Sequence, residues 1–439
     1  MHNCHQQNYI MKQQKALPIL LAFTMILLSC ISCNKRIIAP SASTTTTNSK
    51  TTEYKPYVIL ISLDGFRWDY VEKYNPPNLS SFIKNGVKAA SLIPSFPTKT
   101  FPNHYTIATG LYPDKHGILG NVFYDYKKDT IFNKRTPGMA ADGRFYGGLP
   151  IWVAANNADM VTASYFFVGT EANIQGIRPT YYYTFDNSVK NEVRVKQAIK
   201  WLNLEEKQRP QLMTLYFSDL DQAGHRYGTD NEEKLQKALS ELDKTLGDLF
   251  TGVSETGLPV NIIIVSDHGM INQSTDKLIP IESIENDDLF LTIDNGSIVN
   301  IHPKKDVEID SVLQYLKQKE NNFKAYKTAN TPGFEYSPKN KNWGSIQLIP
   351  DFGYYFLNQK SIASLFKNKV STIGIHGYDS KYKEMHGIFY ANGPAFKKDY
   401  EMPSVKNIHI YPLLCEILGL EIPTSIDGDI EQIERVLKK

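Results

Sequence analysis

Three short apolar runs, each leading to an acid, constrain this chain more than any other feature. Residues 57–63 (YVILISL) run into Asp64-Gly65, residues 212–217 (LMTLYF) lead to Asp219 and Asp221, and residues 260–265 (VNIIIV) lead to Asp267-His268-Gly269. Runs this short, apolar throughout rather than alternating, suit strands covered on both faces, as in a parallel sheet. Between the second and third runs, Leu235, Leu239, Leu242, Leu246 and Leu249 recur at helical spacing across residues 231–250. Strand, helix and strand in that order make a right-handed crossover, so the expected class is α/β with a central, mostly parallel sheet. Residues from about 275 to 370 are more polar and irregular. They are expected to form a small inserted α+β lobe with strands at 297–301 and 345–349.

The amino-terminus reads as an address. Lys12 and Lys15 precede an apolar run at 16–28, of a length that suits a signal peptide and is short for a membrane span. Leu27-Leu28-Ser29-Cys30 then resembles a bacterial lipobox, with Cys30 as the lipidated residue, Cys33 as a weaker site and Met11 as a possible start. Residues 30–53, rich in Ser and Thr, are expected to be a flexible tether. The chain carries 48 Lys and Arg against 46 Asp and Glu, and residues 1–29 hold two of the lysines and no acid. The remainder is therefore balanced. No basic stripe points to nucleic acid, and membrane attachment would rest on acyl chains alone. The four Cys, at 4, 30, 33 and 415, make neither a disulfide scaffold nor a zinc frame. Any metal must be held by Asp, Glu and His.

In open α/β sheets, ligands bind beyond the carboxyl ends of the strands. Three strands deliver acids to that edge, where like charges would raise one another's pKa unless a divalent cation relieved them. Asp221-Gln222-Ala223-Gly224-His225 sets a carboxylate and an imidazole one helical turn apart, and Asp267-His268 sets them on adjacent residues. His376-Gly377 and His386-Gly387 supply two further imidazoles. Oxygen and imidazole donors suit Zn²⁺, with Mn²⁺ or Fe as alternatives. In residues 95–104 (SFPTKTFPNH), Pro102 suits the first turn of a helix, so Thr100 falls at or just before its N-terminus, where an anion is favoured. Thr100 can cap that helix or act as a nucleophile. Ser95 and Thr98 are competing hydroxyls on this reading.

These motifs resemble those of the type I phosphodiesterase (nucleotide pyrophosphatase/phosphodiesterase) family of the alkaline phosphatase superfamily. The resemblance runs from about residue 55 to 422. It rests on Ser62-Leu63-Asp64-Gly65-Phe66-Arg67, Pro97-Thr98-Lys99-Thr100-Phe101-Pro102-Asn103-His104, His116-Gly117-Ile118 with Asn121, Asp221 to His225, Ser266-Asp267-His268-Gly269-Met270 and Gly374-Ile375-His376-Gly377-Tyr378-Asp379. It implies an alkaline-phosphatase-like three-layer sandwich over residues 54–439, without the accessory domains of some animal members. It implies two Zn²⁺ ions about 3.5–4 Å apart. Asp221, His225 and His376 would hold one; Asp64, Asp267 and His268 would hold the other, with Thr100 bound to it as the nucleophile. A phospho-threonine intermediate follows, and Asn121 would donate to a phosphate oxygen together with a backbone N–H near Thr100.

The resemblance selects Thr100 over Ser95 and Thr98, and His376 over His386. It also points to Phe101 and Tyr182 as an aromatic pair sandwiching a nucleobase. Residues 166–171 (FFVGTE) depart from it, since members usually carry Trp-Pro-Gly there. The expected partner is a nucleotide or other phosphodiester small molecule, and the expected location is outside the cytoplasm, periplasmic or at the cell surface. The rival activities are a phosphomonoesterase or lipid-headgroup phosphodiesterase of the same superfamily. A surface lipoprotein that binds without catalysis is a third reading.

Overall fold

The computed structural model describes residues 44–52 and 55–438. The apolar run at 16–28 and both candidate lipidation cysteines lie outside the described residues. No helix among the described residues is long and apolar enough to cross a membrane.

The three apolar runs form the middle of an eight-stranded sheet. Its strands are β1 (Tyr57–Leu63), β2 (Val87–Ala89), β3 (Thr162–Tyr165), β4 (Tyr181–Tyr183), β5 (Leu212–Phe217), β6 (Val260–Val265), β7 (Phe389–Asn392) and β8 (Tyr400–Met402), in the spatial order β8-β2-β7-β6-β1-β5-β3-β4. From β6 to β4 every pairing is parallel. Strand β7 runs antiparallel to both of its neighbours. In register, Leu63 lies opposite Phe217 and Ser62 opposite Val265. The carboxyl ends of β1, β5 and β6 therefore open at one edge.

Both faces are covered, as the unbroken apolar runs require. Val58 and Leu60 of β1 belong to one core, with Ile107 and Ala108 of α1 (Thr100–Thr109) and Leu413 and Leu414 of a carboxyl-terminal helix (Ile410–Leu418). Ile59, Ile61 and Leu63 belong to the other. There they meet Val195, Ala198 and Trp201 of α2 (Asn191–Leu202) and the leucines of α4 (Glu232–Glu255), which follows α3 (Asp219–Tyr227). The five leucines at helical spacing all lie in that second core, and Asn231 caps α4 by accepting the Lys234 N–H at 3.2 Å.

Residues between β6 and β7 build a second, antiparallel sheet of four strands: Phe290–Asp294, Val299–Pro303, Ile346–Pro350 and Phe323–Lys327. It has its own apolar cluster, including Val299, Ile301, Val312, Leu316, Phe323 and Leu348.

The described part of the expected tether does not hang free. Thr45 bonds the side chain and carbonyl of Asn156, and Asn48 donates to the Glu206 and Arg209 carbonyls at 2.8 Å each. Hydroxyl and amide side chains in that Ser/Thr-rich stretch satisfy exposed carbonyls of the domain, which fastens 44–52 to it.

Candidate active site

The helix α1 that begins with Thr100 is buried along almost its whole length. The loop before it is lashed down by one side chain. Asn103 donates to the carbonyls of Ser95, Pro97 and Lys99 at 3.0–3.1 Å, and its Oδ1 accepts from the Ser95 N–H and from Asn407. The competing hydroxyls are already engaged. Ser95 donates to Asn407, while Thr98 donates to the Tyr378 carbonyl and accepts the Gly377 N–H. Thr100, at the first helical position, has as its Oγ1 neighbour the His268 Nε2 at 3.4 Å. The N-cap residue Lys99 offers no side-chain cap, which leaves this helix end open to an anion.

The acids meet above it. Asp64 leaves the end of β1, Asp267 follows β6, and Asp221 lies in the first turn of α3 after β5. The Asp221 N–H donates to the Asp64 carbonyl at 3.1 Å. Gly65 permits that approach: its φ is +68°, and a Cβ there would stand 2.8 Å from the Asp221 Cα. Asp64 Oδ2 accepts the Tyr216 hydroxyl at 2.5 Å, and Asp267 Oδ1 accepts the Gly65 N–H at 3.3 Å. The remaining atoms Asp64 Oδ1, Asp267 Oδ2 and Asp221 Oδ1 are buried and have no hydrogen-bond partner. Buried polar atoms are normally paired, so three orphaned carboxylate oxygens in one place call for a cation.

The imidazoles answer from the other side. His225 Nδ1 contacts the Gly374 carbonyl at 2.7 Å, His268 Nδ1 the Gly269 carbonyl at 2.9 Å, and His376 Nδ1 the Thr98 carbonyl at 2.8 Å. A carbonyl only accepts, so each Nδ1 carries the proton and each Nε2 keeps its lone pair for a ligand. His268 Nε2 stands 3.4 Å from Asp64 Oδ1 and 3.1 Å from Asp267 Oδ2. His225 Nε2 stands 3.2 Å from Asp221 Oδ1, and His376 Nε2 3.9 Å from it.

Two ligand groups result, each with its donor atoms within 4.8 Å of one another: Asp64, Asp267 and His268, and Asp221, His268 and His376. The rings of His268 and His376 stack at 3.5 Å, which brings His268 into both groups. His225 lies outside that 4.8 Å set and adjoins it through Asp221, with its Nε2 3.2 Å from Asp221 Oδ1. His386 is elsewhere: its Nδ1 meets the Ser91 hydroxyl and its Nε2 the Ser380 carbonyl, so neither nitrogen is free. Asp219 is also outside, held by the Asn191 amide at 2.8 Å.

The electrostatics carry the strain of the acids. Burial, then the charges of Asp267 and Asp221, push the Asp64 carboxyl well above its ordinary value. Burial and Asp221 do the same to Asp267. Burial also pushes Asp221 up, but without a cation in the site a protonated His225 at 3.2 Å outweighs it and brings Asp221 down to about 2, and burial of His225 is outweighed in turn by Asp221, which raises it. Burial lowers His268 to about 3, and burial with the neighbouring His268 takes His376 well below the usual range. The neutral imidazoles of His268 and His376 beside mutually repelling carboxyls form a donor set suited to a divalent cation.

Beside Thr100 opens a cleft of about 380 Å³ lined mainly by aromatic and apolar groups, among them Phe101, Phe166, Phe167, Val168, Tyr183 and Phe185. The departing segment 166–171 forms part of this wall. Asn121 sits by the helix start, its Oδ1 accepting the Phe101 N–H at 3.1 Å. That bond engages one backbone donor near Thr100 and leaves the Asn121 NH₂ as the donor end.

Tyr182 does not line the cleft. Side chains alternate along β4, so Tyr182 turns to the opposite side and is 2% exposed, while Tyr183 lines the cleft and stacks on Tyr165 at 4.4 Å. Phe185, 47% exposed, is the aromatic at the cleft with the freest face.

Three supporting residues were not singled out from the sequence. Tyr216 holds Asp64. His104, one turn after Thr100, has its Nδ1 against the Thr100 carbonyl at 2.9 Å and its Nε2 against the Ser62 hydroxyl at 2.8 Å. Lys99 is buried, and its ammonium donates to the His376 carbonyl at 2.8 Å and to the Tyr355 hydroxyl at 3.0 Å. The spacing of Thr100 and His104 was the one available signal; the other two contacts cross between distant segments.

An open, mostly parallel sheet with buried acids and imidazoles at its carboxyl edge, and a helix presenting a hydroxyl to them, defines the alkaline-phosphatase-like class of α/β proteins. The family model for type I phosphodiesterase / nucleotide pyrophosphatase matches residues 58–379. The venom phosphodiesterase CdcPDE of Crotalus durissus collilineatus is 35% identical over 394 residues, covering 87% of this chain and 46% of that protein. Ectonucleotide pyrophosphatase/phosphodiesterase family member 1 of Mus musculus is 33% identical over 397 residues, covering 88% of this chain and 43% of its own. Human bis(5'-adenosyl)-triphosphatase ENPP4 is 34% identical over 372 residues, covering 83% of this chain and 79% of its own. Murine ectonucleotide pyrophosphatase/phosphodiesterase 5, solved in an inactive form with AMP, superposes with a TM-score of 0.80 at 31% identity, covering 88% of this chain and all of that one. This chain belongs to the type I phosphodiesterase/nucleotide pyrophosphatase family. It spans less than half the length of the venom and murine family-member-1 proteins.

Proposed function

We propose that this chain hydrolyses phosphodiester or pyrophosphate bonds of nucleotide-like small molecules through a phospho-threonine intermediate on Thr100. The observation that carries this is the gathering of three partnerless carboxylate oxygens about His268, whose Nε2 stands 3.4 Å from the Thr100 hydroxyl at the start of a buried helix. On this reading Asp221, His225 and His376 hold one Zn²⁺, and Asp64, Asp267, His268 and Thr100 hold the other. When bound, such ions neutralise the acids, lower the pKa of a nearby hydroxyl or water and stabilise charge on phosphoryl oxygens.

The chain's own groups do the rest. The His104 and Asn103 contacts fix the first turn of α1, so that Thr100 Oγ1 faces the phosphate. As the Oγ1–phosphorus bond forms, the bond from phosphorus to the departing alcohol or phosphate breaks. Water then splits phospho-threonine, releasing a phosphomonoester and restoring the hydroxyl. The Asn121 NH₂ donates to a non-bridging oxygen as charge builds there. Phe101 supplies a stacking face for a base, with Phe185 rather than Tyr182 as its counterpart, and stacking tolerates different bases. The sequence at 12–33 supports export with lipid attachment at Cys30, and the murine relative's name places it among ectoenzymes.

The test is kcat/KM of the zinc-loaded protein on a nucleotide 5′-nitrophenyl ester, a simple nitrophenyl diester and the nitrophenyl monoester, with Thr100→Ala as control. The nucleotide ester should win clearly, and Thr100→Ala should abolish turnover. A win for the monoester would make the chain a phosphatase.

A further inference from the structure

Asn121, the donor to the phosphate oxygen, stands just before a hairpin formed by Val122–Asp125 and Thr130–Asn133. Two of its contacts lie close by: its Oδ1 accepts the Phe101 N–H at 3.1 Å, and its carbonyl accepts the Lys134 N–H at 3.0 Å. A third hold comes from the inserted lobe. Asn295 lies on the turn between the lobe strands Phe290–Asp294 and Val299–Pro303. Its Oδ1 accepts the Val122 N–H at 3.1 Å, and its Nδ2 donates to the Val122 carbonyl at 2.8 Å. One side-chain amide thus exchanges both bonds with one residue, as a paired strand residue would.

On the other side of Asn121, the same amide lies against Gly120. A Cβ at Gly120 would stand 2.9 Å from Asn295 Oδ1 and 3.0 Å from its Nδ2, so the residue there must be glycine for the amide to fit. Asn295 therefore grips both chain neighbours of Asn121. The turn that carries it is itself well tied. The Asn295 N–H donates to the Ile298 carbonyl at 3.0 Å, the Ser297 N–H to the Asn295 carbonyl at 2.9 Å, and the Phe356 N–H to the Gly296 carbonyl at 2.9 Å. The turn also reaches the residue before Thr100. The Lys99 ammonium donates to the Tyr355 hydroxyl at 3.0 Å, and that hydroxyl stands 3.5 Å from the Asn295 carbonyl.

A donor serves a phosphoryl oxygen in the transition state only if it is held within about 0.5 Å of its place. We propose that Asn295 is a positioning residue, which fixes the backbone on either side of Asn121 so that the Asn121 NH₂ meets the non-bridging oxygen as charge builds there. The inserted lobe is then part of the machinery for phosphoryl transfer, although Asn295 touches no substrate. This rests on the phosphodiesterase reading above and deepens it.

The experiment is a double-mutant cycle on the full chain loaded with Zn²⁺, with a nitrophenyl phosphodiester as substrate. Asn121→Ala should lower kcat by roughly a hundredfold or more, the cost of a lost oxyanion donor. Asn295→Ala should lower kcat by about tenfold, the scale of a misplaced reacting group, with KM little changed. In the Asn121→Ala background, Asn295→Ala should cost less than about twofold, because the group it positions is gone. A residue that only stabilised the fold would cost the same factor in both backgrounds, and that result overturns the inference. So does an unchanged kcat in either single variant. If the alanine protein does not fold, Asn295→Asp, which still accepts the Val122 N–H but cannot donate to its carbonyl, takes its place in the same cycle. If the unaltered chain turns over no diester, the phosphodiesterase reading fails. Equilibrium binding of orthovanadate to the same four zinc-loaded proteins then decides the positioning independently: weakening by Asn295→Ala only where Asn121 is present supports it, and equal weakening or none overturns it.

Discussion

Replacing Asp64 by Asn should stabilise the metal-free protein and weaken the zinc-bound one, with a pH dependence whose sign follows from the site. In the metal-free fold, burial and the charges of Asp267 and Asp221 hold the Asp64 carboxyl above the value it has in the unfolded chain. The folded state therefore keeps a proton that the unfolded state has lost. In that window stability falls as pH rises, by up to about 1.4 kcal/mol per pH unit for one group. The window opens near pH 4, the ordinary carboxyl value, and closes at the raised folded value. Asn cannot titrate. The stability difference, Asp64→Asn minus unaltered, should therefore grow in favour of the variant by up to about 1.4 kcal/mol per pH unit across that window.

At roughly 2.1 cal/mol/K per residue of unfolding entropy, a chain of this length shifts about 1 °C in Tm for each kcal/mol. Two pH units above 4 should thus separate the melting curves by about 2–3 °C in chelator. With saturating Zn²⁺ the order should reverse, because the unaltered protein gains more from binding. Differential scanning calorimetry from pH 4 to 8, with and without Zn²⁺, reads all of this. A variant less stable than the unaltered chain in chelator at pH 7, with a difference that does not move with pH, would refute the reasoning that these carboxyls repel one another.

Gly65→Ala should cost several kcal/mol and much of the activity, because the new Cβ would collide with the Asp221 backbone at a left-handed φ; urea unfolding and turnover together check it. Asn103→Ala removes the bonds holding the Ser95–Lys99 carbonyls and should destabilise by about 2–4 kcal/mol, leaving buried carbonyls unpaired. His376→Ala should lower the zinc content of the purified protein, whereas His386→Ala, whose ring nitrogens are both engaged in the fold, should not; metal analysis after dialysis distinguishes them.

The sheet centre was legible because its physics is local. Strands buried on both faces must be apolar without alternation, and the residue that ends such a strand must sit at the sheet edge. Asp64, Asp221 and Asp267 could thus be placed together before any contact was seen. The leucines of α4 declared their face by spacing alone. The cleft was less legible. Whether Tyr182 or Tyr183 faces the site depends on the one-residue phase of β4, and three tyrosines in a row carry no phase.

The tether's attachment at Thr45 and Asn48 was equally hidden, since polar side chains pair with whichever carbonyls the fold leaves open. Tyr216 and Lys99 reach the site through contacts spanning 152 and 277 residues of sequence, which no local pattern encodes. His376 and His386 are both His-Gly pairs, which only the family motif separates in sequence; the fold adds that both ring nitrogens of His386 are already engaged.

The central claim is that Thr100 is the nucleophile, and the most direct measurement is to trap it. The zinc-loaded protein would be mixed with a nitrophenyl phosphodiester whose phosphorus is labelled, quenched in acid within the first turnover, and its peptides mapped. The account predicts the labelled phosphoryl ester on Thr100, and none in Thr100→Ala. Label on another residue, or turnover that persists in Thr100→Ala, would contradict it.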